Sequence, residues 1–223
     1  MPAPCSLNIR LMPIVAAILL TMSMCASDWI APPVRSPVAD LLADLATALD
    51  AQGIPWYLFG AQAAIVYGVA RLTADVDVTV QAPANRPVAE WVSTLEAHRF
   101  QPRFRDPAFL AHTRVLPLVH GPTALPVDLV LAGPGLEEEF LARARQQSVD
   151  GVVVPVVDVS DLVILKVLAA RPKDLEDVAA LLRVQGQRID DTRVRHVLAL
   201  LEEALGQSDL VPVFERLRAQ ALR

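Results

Sequence analysis

Cysteine is nearly absent and ends early: Cys5 and Cys25 are the only two, and none follows residue 25. That excludes a disulfide framework and a cysteine-based zinc site from the body of the chain. Aromatic residues supply only 5% of a sequence that is 53% hydrophobic, so its core must be built from Ala, Val and Leu. The four histidines, His98, His112, His120 and His196, have no ligand spacing, which argues against a zinc enzyme. A basic excess is missing too. The net charge is −5, the reverse of what a surface dedicated to wrapping nucleic acid carries. Transient docking of an RNA end needs only a local patch, and Arg99, Arg103, Arg105 and Arg114 lie close enough in sequence to form one. Plain solvated surface is the simpler reading of those four.

A long apolar run is also lacking. Leu11 to Met24 is the most apolar stretch, but it falls short of the roughly 20 residues a membrane-spanning helix needs. It has the length of a signal-peptide core, with small residues near Cys25, although Arg10 alone makes a weak basic lead-in. A start of translation at Met22 or Met24 is a further reading, and residues 1–35 are set aside as leader and linker. No stable membrane association is expected.

The remainder is long enough for one substantial core with helical extensions. Ser36-Pro37 opens a helix whose stripe is Leu41, Leu42, Leu45 and Leu49, and Gly53 with Pro55 ends it. Val88 to His98 has helical spacing, with Val88, Trp91, Val92 and Leu95 inward, after a turn at Pro83 to Pro87. Strands are expected at Phe100–Arg105, Arg114–His120 and Val127–Leu131. An amphipathic helix over Gly135–Gln146 has an acidic start and a basic end, an order that suits the helix dipole. The valine-rich Gly151–Val157 then closes the sheet. From Ser160-Asp161, read as a cap, the chain turns helical, with Pro172 starting a second helix and two more at about 191–205 and 210–222. The expected fold is α/β (α+β): a mixed sheet flanked by helices over 36–158, then a C-terminal helical region over 159–223.

The stretch Trp56 to Val80 organises the rest. A short apolar run, Trp56 to Phe59, stops at Gly60, and a small-residue helical segment runs to Tyr67 before Gly68. In Asp75-Val76-Asp77-Val78-Thr79-Val80 the period is two, so Asp75 and Asp77 share one face and the valines the other. Two ionised carboxylates side by side repel unless a divalent cation sits between them. A glycine between strand and helix lets backbone N–H groups approach a phosphate. Together these suggest a Mg–nucleotide site; the plain alternative is a βαβ segment with a solvated acidic face.

Gly60-Ala61, Gly68, Arg71, Thr73 and Asp75-Val76-Asp77 resemble the signature of the minimal nucleotidyltransferase superfamily, and within it the AbiEii-like proteins, which include toxins of toxin–antitoxin pairs. Ala61 departs from the Gly-Ser form and matches the Gly-Gly form in offering no hydroxyl. Lys166 with Arg171-x-Lys173-Asp174-x-x-Asp177 resembles that group's second signature. The spacing of Lys173 and Asp177 also suits an ordinary i, i+4 surface pair.

The resemblance implies roles. Asp75, Asp77 and Asp128 hold Mg²⁺, in a two-metal arrangement, with Asp128 as the third carboxylate on a later strand. Gly60, Ala61, Arg71, Thr73, Lys166 and Asp174 bind the nucleotide. Asp75, Asp77, Asp128 and Lys166 carry the transfer of a nucleoside monophosphate from an NTP to a hydroxyl on an RNA end or a protein, with a cognate antitoxin as a possible partner. A small-molecule (aminoglycoside-type) nucleotidyltransferase and a non-catalytic nucleotide-binding module are the alternatives. Nucleoside triphosphates and Mg²⁺ are cytoplasmic supplies, so a cytoplasmic protein is expected, export being the alternative if the leader is a true signal peptide.

Overall fold

The computed structural model describes residues 35–82, 87–104, 106 and 112–221. The expected leader, the turn at 83–86, Arg105 and the inward placement of Val88 and Trp91 lie outside what is described. Residues 35–223 form one compact unit.

Helix α1 (Pro37–Asp50) begins as the sequence indicates: Ser36 caps it by accepting from the Ala39 N–H at 3.2 Å, with Pro37 in the first turn. Its buried stripe is Ala39, Leu41, Leu42, Leu45, Ala48 and Leu49. Strand β1 (Trp56–Phe59) leads straight into the short helix α2 (Gly60–Val66), and β2 (Val76–Val80) returns antiparallel to β1. Helix α3 (Val88–Ala97) then crosses to β3 (Phe100–Pro102), β4 (Val115–His120) and β5 (Pro126–Leu131). β3 is shorter than its expected span.

The next segment differs from expectation. Helix α4 (Leu136–Arg143) stops three residues before Gln146, and Ala144 is extended (ψ 142°). The chain continues as β6 (Arg145–Val149), turns at Asp150-Gly151 and returns as β7 (Val152–Val156). β6 reads Arg-Gln-Gln-Ser-Val, so no apolar alternation advertises it. The overlooked signal is the turn itself. Asp150 and Gly151 both have positive φ (45° and 83°), the requirement of a two-residue hairpin turn.

The sheet order is β3-β4-β5-β2-β1-β7-β6, seven strands of mixed direction. β6, not the valine-rich β7, closes this edge. β1 runs parallel to β7, and β2 parallel to β5. The C-terminal ends of β1 and β7 therefore meet the N-terminal ends of β2 and β5 at one edge, where the loops and helix starts gather.

Four helices follow: α5 (Val159–Ala169), α6 (Pro172–Gln185), α7 (Asp191–Leu205) and α8 (Leu210–Ala221). The cap of α5 is Asp158, whose carboxylate accepts from the Ser160 N–H at 3.0 Å; Asp161 is one turn in and fully buried. Pro172 does start α6. α5 is buried nearly all round, including the polar Ser160, Asp161 and Lys166. Asp161 has two guanidinium partners, Arg143 at 2.8 Å and Arg193 at 2.7 Å, which tie α4 and α7 to α5. One apolar cluster runs from Leu41 and Val78 through Leu162 and Val178 to Phe214, so the core is continuous across residue 158. Among the described residues, no helix is long and apolar enough to cross a membrane.

Candidate active site

The site grows from the Phe59–Gly60 junction. Gly60 has φ +67°, and a β-carbon placed on it would stand 2.0 Å from Asp77 Oδ2. Only glycine fits: the backbone is left-handed and the space above it belongs to a carboxylate. Phe59 is the register partner of Asp77, which explains this closeness.

Asp77 is in turn the register partner of Asp128 on the parallel strand β5. Neighbouring strands lie about 4.8 Å apart, so the two residues are brought side by side on one face. Asp75 sits just before β2, exposed, and accepts a hydrogen bond from the Thr73 hydroxyl. Thr73, expected at the nucleotide, is thus first a support for Asp75.

Burial, followed by the charges of Asp75 and Asp128, pushes Asp77 up to about 6, while Lys166 and Arg171 act in the opposite sense. Burial and the repulsion of the neighbouring carboxylates thus outweigh the nearby cations at Asp77. The chemistry of the three carboxylates, hard oxygen donors only, suits a divalent cation such as Mg²⁺. The three are not already gathered: among the described residues no trio of His, Cys, Asp or Glu forms a ready ligand set. Asp128 is engaged by Arg103, and Asp75 by Thr73.

The helices supply the opposing charge. Lys166, on α5, is 4% exposed, and its Nζ lies 2.6 Å from Asp177 and 3.5 Å from Asp174. A buried ammonium survives only with such partners. Asp177 also receives Arg71, and Asp174 receives Arg171 from the start of α6. The arrangement corrects the spacing-based pairing of Asp177 with Lys173. Asp177 is buried, and its partners are Lys166 and Arg71.

Three cations thus share two carboxylates, leaving one positive charge in excess beside Asp75 and Asp77. Asp174 is held below its ordinary range despite the opposing effect of burial, because Arg171 and Lys166 stabilise its anion. Arg171 was legible only as part of a signature, without a role of its own. Its side chain is 62% exposed, and its pKa is raised, first by the hydrogen bond to Asp174 and in smaller measure by Asp77 and Asp75.

Ala61 follows Gly60 in the first turn of α2 and is buried. Of the four arginines read as a patch, the three that are described are each paired with a carboxylate: Arg99 with Asp44 (3.5 Å), Arg103 with Asp128 and Arg114 with Glu137 (3.8 Å).

Known proteins resemble this chain in fold and over part of its sequence. Residues 123–218, a span that includes Asp128, Lys166, Asp174 and Asp177, match the family described as "Nucleotidyl transferase of unknown function (DUF2204)". No curated protein sequence matches. The solution structure of the antibiotic-resistance factor ANT(2'')-Ia aligns over 78% of this chain and 97% of its own, with TM-score 0.52 and 15% identity. An antigenic nucleotidyltransferase-like protein from Paracoccidioides brasiliensis aligns over 82% and 95%, at TM-score 0.48 and 17% identity. The lincomycin-bound lincosamide antibiotic adenylyltransferase LnuA aligns over 67% and 98%, at 0.45 and 12%. The chain thus has the fold of ANT(2'')-Ia, and over residues 123–218 its sequence matches a nucleotidyl transferase family model.

Proposed function

We propose that the protein is a magnesium-dependent nucleotidyltransferase that moves a nucleoside monophosphate from an NTP to an acceptor hydroxyl, with Asp75, Asp77 and Asp128 as the metal-holding carboxylates. The observation that carries this reading is the register of Asp77 with Asp128 beside the Gly60 elbow, facing the Lys166–Arg171 cations. Bound at these carboxylates, Mg²⁺ offsets charge on the triphosphate and on the departing pyrophosphate.

The chain's own residues account for the rest. The N–H groups of Gly60 and Ala61 donate to phosphate oxygens next to the Asp77 carboxylate, in a turn that no side chain at Gly60 obstructs. Lys166, locked between Asp174 and Asp177, is a fixed positive charge behind Asp77, and the exposed Arg171 is the cation with reach toward the pyrophosphate. Arg71 acts through Asp177 and so positions Lys166, while Thr73 orients Asp75. The acceptor oxygen bonds to the α-phosphorus as the α–β bridging bond breaks, pyrophosphate leaves, and the hydroxyl proton passes to Asp128.

An RNA end or a protein hydroxyl is the acceptor that the AbiEii-like signature suggests, in which case the protein is a toxin held by an antitoxin in the cytoplasm. The fold shared with ANT(2'')-Ia favours a second reading, a small hydroxylated antibiotic as acceptor. Incubating the protein with Mg²⁺ and each α-labelled NTP in turn, against total RNA, cell protein and aminoglycosides, decides between them. Label in none of the three, with no Mg-dependent nucleotide binding, overturns the proposal.

A further inference from the structure

A row of residues crosses four strands at the mouth of the sheet. The Arg103 N–H, just past β3, donates to the Pro117 carbonyl on β4 at 2.8 Å; Pro117 is the register partner of Asp128 on β5, and Asp128 of Asp77 on β2. Residues in one row of a sheet share a face. Pro117 is short, so the Arg103 side chain can pass over it and reach Asp128, with which it forms an ion pair. Both side chains are about one-third exposed (35% and 32%), and Asp128 is the one carboxylate paired with Arg103 among the described ion pairs.

We propose that Arg103 is the resident counter-cation of the third carboxylate: it holds Asp128 in the free protein and must be exchanged for the divalent cation before Asp128 can join the metal. The inference rests on the reading of Asp128 as a metal ligand. One carboxylate cannot serve both partners closely, because a guanidinium and a divalent cation on the same oxygens repel at short range. Binding of metal therefore carries the cost of breaking the pair. Once released, the guanidinium stands on the face shared by Asp77 and Asp128, where the nucleotide's phosphates are the anions available to it. Metal and nucleotide consequently bind cooperatively, the metal taking Asp128 and the phosphates taking Arg103.

The test is a titration of the full chain with Mn²⁺, counted by electron paramagnetic resonance, without nucleotide. Arg103→Gln is expected to bind Mn²⁺ about fivefold tighter than wild type, the factor corresponding to a partly exposed ion pair. Arg103→Lys, which keeps the charge, should bind as weakly as wild type, an outcome that a merely structural role for Arg103 would not produce. Asp128→Asn should bind more weakly, and adding Arg103→Gln to it should change nothing further. An Arg103→Gln affinity equal to or weaker than wild type, with Asp128→Asn still weakened, overturns the exchange while leaving the metal reading intact. An Asp128→Asn affinity equal to wild type overturns the metal reading and this inference with it. If Arg103→Gln melts at a lower temperature than the other variants, Arg103→Met, of similar length and apolar, takes its place under the same criteria.

Discussion

The Asp77 carboxylate fills the space that a β-carbon on Gly60 would need, the two positions being 2.0 Å apart. Strand end and acidic residue therefore specify each other. Gly60→Ala is expected to cost about 1–3 kcal/mol for the left-handed backbone alone, and to drive Asp77 out of line as well. Thermal melting should show the loss of stability, and nucleotidyl transfer should fall further than the melt explains. A Gly60→Ala protein with wild-type melting and activity would mean that Asp77 moves freely.

Asp77 carries the pH dependence. Its folded-state value is raised from 3.8 to about 6. Between those values the folded protein keeps a proton that the unfolded chain has released, so stability falls as pH rises through that window. Metal affinity runs the other way, because the proton competes with the cation. Below pH 6, Mn²⁺ binding should weaken by about tenfold per pH unit, and Asp77→Asn should abolish that slope and leave the free protein at least as stable as wild type above pH 6. A flat affinity profile from pH 5 to 7 would refute it.

Lys166 and Asp177 touch at 2.6 Å but should respond unequally to removal. In Lys166→Met each carboxylate keeps a guanidinium, Asp174 with Arg171 and Asp177 with Arg71. The fold should survive, and kcat should drop by roughly 10²–10³. Asp177→Ala takes the carboxylate from Arg71 and leaves Lys166 only the more distant Asp174 at 3.5 Å, at a cost of about 3–5 kcal/mol. Chemical denaturation separates the two; equal losses of stability would contradict the network.

Asp161 provides a control away from the chemistry. It is fully buried, burial raises its pKa, and Arg143 and Arg193 hold it as an anion. Asp161→Ala should destabilise by about 3–5 kcal/mol while transfer per folded molecule stays unchanged. A selective loss of activity in well-folded Asp161→Ala would show that α5 transmits strain to Lys166.

What was legible in the sequence followed local pattern. Alternation located β2, a short apolar run located β5, and Ser36-Pro37 located the start of α1, because a two-residue period, an apolar run and a cap are properties of neighbouring residues. β6 was missed because its side chains are polar on both faces, although the Asp150-Gly151 turn was a usable cue. The Arg103–Asp128 pair was illegible for a different reason: it depends on three strands lying in register across Pro117. For Asp177, helical spacing offered Lys173 as a plain partner, while the fold gave it Lys166 and Arg71. Local propensity is silent about which charge is desolvated.

The sheet is complete at Val156, yet Lys166 and Arg171, the cations that moderate Asp77, are encoded beyond it. Along the chain the three carboxylates therefore precede these counterweights, and Arg103 lies between Asp77 and Asp128. Docking of the last helices thus completes both the hydrophobic body and the electrical balance of the notch, so the protein should gain its affinity for anionic nucleotides in the same step that makes it fully folded.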